Sequence, residues 1–143
     1  MIDIKNTKVA QMVAPQTIGT TTVSGYVDTL GYDHLRVYYL GATAVASDVI
    51  TALKLQEGDT TSAFTDIAAA LGGTAFTIPV PNTSTPDTTI FDVPLHQGRK
   101  RYVNISITGD ATVRTTSVIG VLGRAAVSPT SDTLAGAALI VNV

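Results

Sequence analysis

"RYVNISIT", residues 101–108, alternates apolar and polar residues throughout. Val103, Ile105 and Ile107 share one face; Tyr102, Asn104, Ser106 and Thr108 share the other. Successive side chains of a strand point to opposite sides, so this is a strand with one buried face. The same two-residue period recurs along the chain in short pieces. "HLRVYYL" (34–40) turns Leu35, Val37 and Tyr39 one way and His34, Arg36 and Tyr38 the other. "TALKLQE" (51–57) separates Leu53 and Leu55 from Lys54 and Gln56, and "TTTVSGYVDT" (20–29) pairs Val23 with Val27. "TIFDVPL" (89–95) aligns Phe91, Val93 and Leu95.

Further strands are expected at 75–80, 112–123 and 137–143. The first holds Pro79, which cannot donate to a ladder and suits an edge. The second becomes apolar on both faces near Val118–Leu122, as in a central strand or one covered by another subunit. Seven or eight short strands with turn residues between them read as an all-β antiparallel sandwich. Helical signals are thin: "SDVI" and "TDIAAAL" each offer one turn, capped by Ser47 or Thr65. Residues 1–19 lack a strict period and read as an extended N-terminal arm. Residues 20–143 read as one domain, with "PVPNTSTPDTT" (79–89) as an exposed loop.

Composition narrows the function. Of 143 residues only 14% are charged and 45% are apolar, and the formal charge is -2. Typical soluble domains carry roughly a quarter charged residues. The surface is therefore either covered in hydroxyls or partly buried by partners. Threonine is the commonest residue, which fits the first; the apolar tail "LAGAALIVNV" fits the second. Cysteine is absent, so disulfides and thiolate ligands are excluded. No apolar run reaches the length of a membrane helix, and the start lacks the pattern of a secretion signal. Neither membrane nor direct nucleic-acid binding is expected.

Candidate sites are few. "EGDTTSAFTD" (57–66) gathers Glu57, Asp59 and Asp66 with hydroxyls, but its spacing matches no calcium loop. It reads as a turn after a strand, with a weak cation site or an interface as the alternatives. Only His34 and His96 exist, on separate segments, and no nucleophile elbow is present. No catalytic residue, metal ligand or cofactor is assigned, and the chain is read as noncatalytic. Tyr38 and Tyr102 face outward and are the aromatic candidates for a glycan. "GRKRY" (98–102) is the densest basic stretch. It suits a charged approach to a strand that discourages edge pairing, or contact with an acidic protein surface.

In order, "VDTLGYDHLRVYYLGATA", "ITALKLQEGDTTSAFTDI" and "GRKRYVNISITGDA" resemble small β-sandwich proteins from the structural-gene clusters of tailed bacteriophages and prophages. The resemblance spans roughly residues 23–125. It implies a virion protein of the capsid decoration or cement type. Such a protein is jelly-roll-like, often trimeric, and sits on the outer surface of the major capsid protein shell, which it stabilises. The alternative is a carbohydrate- or host-surface-binding module of a head or tail fibre. The expected contact surface comprises Ile2, Ile4, Val9, Met12 and Val13 of the arm, Arg99, Lys100 and Arg101, and Leu139, Ile140 and Val141 of the last strand.

Overall fold

A computed structural model describes residues 7–95, 98–111, 114–123 and 139–142. Among the described residues nine strands form: β1 (Lys8–Ile18), β2 (Val23–Asp28), β3 (His34–Gly41), β4 (Ile50–Gly58), β5 (Thr65–Leu71), β6 (Asp87–Pro94), β7 (Tyr102–Gly109), β8 (Arg114–Gly123) and β9 (Leu139–Asn142). No helix occurs among the described residues. One sheet runs β1-β8-β3-β6-β9 and the other β2-β7-β4-β5. Every pairing is antiparallel except β6 with β9. The chain is a β-sandwich, as the alternating pattern demands.

The first eight strands pair as nested brackets. β1 meets β8, β2 meets β7, β3 meets β6, and β4 meets β5. Between the sheets lie the residues that the two-residue period sends inward. Leu35, Val37, Phe91, Val93, Val118 and Leu122 come from the first sheet; Val27, Leu53, Leu55, Val103, Ile105 and Ile107 come from the second. The turn before β3 uses Gly31 at φ 87°, a conformation open to glycine at little cost.

Three expectations change. Residues 8–18 are not a free arm but an edge strand of the chain's own sheet, in register with β8 from Lys8↔Leu122 to Ile18↔Arg114. Met12, Val13 and Ile18 are buried in the chain's own core, so they are not available to a partner. The strict period is missing because the register shifts twice, between Gln11 and Val13 and again before Gln16. A bulge inserts an unpaired residue, which lets two consecutive residues, Met12 and Val13, both point inward. Pro15 is tolerated because β1 is an edge. Ile2 and Ile4 lie outside the described residues.

"TDIAAAL" is a strand, β5, rather than a helical turn, because β4 offers it an open edge. Residues 75–80 form no strand; only the isolated bridge Gly72↔Phe76 forms there. Gly72 sits under Ile78, whose side chain would lie 2.6 Å from any Cβ at that position. Phe76 packs edge-on against Phe91, with ring centroids 5.5 Å apart. Apolar plugging and a few turn hydrogen bonds, Ala75 N–H to the Leu71 carbonyl at 2.7 Å and Gly73 N–H to the Phe76 carbonyl at 2.8 Å, secure this segment.

Candidate functional site

Two outer faces remain once the core is assigned, and they differ in chemistry. On the outer face of the first sheet, Val9 stands opposite Val121, which stands opposite Arg36. One row along, Gln11 faces Ile119, Ile119 faces Tyr38, and Tyr38 faces Ile90. Ile119, Val121, Tyr38 and Leu40 are half-buried, and Val9 is 66% exposed. An apolar band therefore crosses β1, β8 and β3 on the side away from the core. It is bounded by a charged group in which Asp92 contacts His34, and Arg36 Nε lies 3.5 Å from the same carboxylate.

The outer face of the second sheet is polar and aromatic. One cross-strand row spans all four strands: Tyr26 on β2, Asn104 on β7, Gln56 on β4 and Asp66 on β5. Asn104 Nδ2 donates to Gln56 Oε1 at 2.9 Å, and Gln56 Nε2 donates to Asp66 Oδ1 at 2.7 Å. Lys54 Nζ donates to Asp66 Oδ2 at 3.0 Å. At the other end the Tyr26 ring stands between Phe64, centroid 6.1 Å away, and Tyr102, 5.9 Å away and edge-on. The bond from Lys54, and then that from Gln56, holds the Asp66 carboxyl below its ordinary range.

The basic segment is already partnered within the chain. Arg101 grips Asp28 with two hydrogen bonds, Nε to Oδ1 at 3.0 Å and Nη2 to Oδ2 at 2.7 Å, and lies over the Tyr102 ring. Arg99 reaches Glu57 at 3.5 Å, and the Lys100 backbone N–H donates to the same carboxylate. These cations tie the approach of β7 to β2 and β4. The expected role of "GRKRY" in discouraging edge pairing does not apply, because β7 lies inside its sheet between β2 and β4.

The Arg101 bond, followed by the Leu30 backbone N–H, lowers the Asp28 carboxyl from 3.8 to about 2. A carboxylate held this low favours the folded state fully above pH 3.8, and that contribution fades as pH falls toward 2. We expect Asp28→Asn to flatten the acid limb of the stability curve below pH 4, read by thermal melts from pH 6 to 2. Salt will shrink the difference, because the pair is exposed.

The other sequence candidates separate. Glu57 turns to Arg99 and Lys100, Asp66 to Lys54 and Gln56, and Asp59 lies exposed in the turn. Among the described residues no group of three His, Asp or Glu is placed to hold a metal ion. His34 stands beside Asp92, but on that face the serine of β8, Ser117, pairs with Leu40, six positions along β3 from His34. His96 lies outside the described residues. Tyr38 and Tyr102 fall on opposite sheets and cannot serve one ligand. Leu139, Ile140 and Val141 sit in β9, in parallel register with Thr89, Ile90 and Phe91.

Two groupings escaped the sequence. Tyr26 is outward by the same alternation that sends Val23 and Val27 inward, so its face was readable; its row partners were not. Arg114 and Asp87 form a buried ion pair, Nη2 to Oδ2 2.7 Å, which nothing in their local sequence signals. No protein-family model and no curated protein matches the chain.

Proposed function

We propose that the chain is a noncatalytic structural protein of a tailed-bacteriophage virion, a decoration or cement protein that binds the outer surface of the capsid shell as an oligomer. The nested strand pairing is read as a jelly roll, an architecture used by viral capsid and lectin domains. Fold alone does not carry a function. The observation that carries this reading is the apolar band of Val9, Val121, Ile119, Tyr38 and Leu40 on the outer side of the first sheet. Val9, 66% exposed, is the open end of this band, and exposed apolar surface of this kind marks protein contacts.

The revised contact surface is narrower than the sequence expectation. Val9 stays in it. Met12 and Val13 leave it because they fill the core. Arg99 and Arg101 are paired with Glu57 and Asp28, so a partner would meet ion pairs there rather than bare cations. Repetition over a shell lets modest single contacts act as a strong restraint.

The test mixes the purified chain with emptied heads of the phage or prophage whose structural genes flank its own. Co-sedimentation and light scattering should show saturable binding and a defined oligomer. Val9→Asp together with Val121→Asp should weaken shell binding at least tenfold while the thermal melt is retained. A monomer that ignores the shells refutes the proposal, and so does a double variant that binds as well as the parent.

A further inference from the structure

We infer that the outer face of the second sheet is a binding site for a neutral glycan, lying along the row Tyr26–Asn104–Gln56–Asp66. This goes beyond shell attachment and does not depend on it, because it uses the opposite sheet. A molecule fixed by one face leaves the other free to meet a second surface.

The row has the parts such a ligand needs. A pyranose ring has an apolar C–H face and a rim of hydroxyls. Tyr26, 49% exposed and braced by Phe64 and Tyr102, offers a fixed aromatic surface to the first. Tyrosine gives large contact area at small conformational cost. Asp66, its side chain 41% exposed, offers carboxylate lone pairs to the second. Each of its oxygens already accepts from Lys54 or Gln56, yet an ionised carboxylate has about four acceptor sites, so it keeps capacity for hydroxyl donors.

Between these ends, Asn104 is almost fully buried and Gln56 half-buried, and the pair relays hydrogen bonds across the sheet. Their role is to hold the ends at a fixed separation. Three strand spacings place the two ends about 14 Å apart. A site built on strands keeps its geometry better than one on loops.

Charge selects the class. Lys54 is paired with Asp66, and Arg101 with Asp28. The face therefore offers an anionic polymer no uncommitted cation among these residues, and the hydrogen-bonding ends fit hydroxyls instead.

The test is a glycan array carrying neutral hexose and N-acetylhexosamine oligosaccharides, with uronic-acid oligosaccharides as a second arm, probed with the full chain. Binding to at least one neutral glycan is expected. Tyr26→Ala and Asp66→Asn should each lower it tenfold or more, with melting temperatures close to the parent. The inference is overturned if no neutral glycan binds at millimolar ligand, if only the uronic acids bind, or if both variants bind like the parent. Shell binding is measured on the same variants and should be unchanged. Loss of glycan binding with shell binding intact therefore separates this site from the proposed capsid contact.

Discussion

Gly25→Ala will destabilise the sandwich by about 3 kcal/mol or more, the upper end of what overpacking a core costs. Gly25 lies on β2 opposite Ile105, so its missing side chain points between the sheets. That space is taken by the backbone of β1. A Cβ there would overlap the Met12 carbonyl oxygen, sit 2.6 Å from the Met12 carbonyl carbon, and press Val13 Cγ2 at 3.3 Å. A side chain can rotate away from such an intrusion; a carbonyl held in a strand cannot. Either β1 lifts from the core or β2 leaves β7. Gly31→Ala is the control. Nothing lies within 4 Å of a Cβ at Gly31, and only its φ of 87° is strained, so about 1–2 kcal/mol is expected. Urea midpoints on both variants decide the matter. If Gly25→Ala costs no more than Gly31→Ala, β1 does not seat on β2. Hydrogen exchange adds a local reading: Gly25→Ala should lose protection first in residues 8–18 and along β8. Because β1 also carries Val9, the same variant should disturb the apolar band.

The strand pattern was legible wherever one face is wet. β3 alternates cleanly and its inward residues are the buried ones, whereas β7, central in its sheet, alternates in sequence but buries its outward Asn104 and Ser106 as well. β1 hid its nature because its bulges place Met12 and Val13 on the same side, breaking the period that sequence reading relies on. β5 hid because alanines suit a helix as well as a strand, and only the open edge of β4 decides between them. The segment 75–80 misled in the other direction: Phe76 and Ile78 look like alternating strand residues but are plugs against the core. The candidate sites were legible one residue at a time and illegible as sets. Tyr26, Asn104, Gln56 and Asp66 come from four strands, and no local spacing says that they share a row. Register is a property of pairing, not of any single strand. Tyr38 and Tyr102 show the same limit, since each is outward as expected and yet they occupy opposite faces.

Arg114→Met will cost about 3–5 kcal/mol, the penalty for breaking a buried ion pair and leaving one charge without its partner. Arg114 and Asp87 are 3% and 5% exposed and lie at one end of the inner face, on β8 and β6 with β3 between them. The guanidinium reaches across β3 to do three things. Nη2 donates to Asp87 Oδ2 at 2.7 Å, and Nη2 and Nε both donate to the Ala42 carbonyl, at 3.0 and 3.2 Å. It can pass because residue 41 is glycine: a Cβ there would stand 2.6 Å from Nη2 and 2.9 Å from Cζ. Burial beside this group pushes the Tyr39 hydroxyl up to about 12, the nearby guanidinium opposing the shift only in part. Tyr39 should thus stay protonated in an alkaline titration that ionises exposed tyrosines. Methionine keeps most of the arginine stem's volume but strands the Asp87 carboxylate and the Ala42 carbonyl. Removing both charges is a different perturbation. Arg114→Met combined with Asp87→Leu should recover most of the loss, because apolar replacements of a buried pair are often neutral or stabilising. Urea denaturation of the two single variants and the double variant closes the cycle. A double variant no more stable than Arg114→Met would mean that the arginine acts through Ala42 and its packing, with Asp87 a bystander. Recovery would show that the cost of Arg114→Met is the stranded Asp87 carboxylate and that the pair itself gives little net stability.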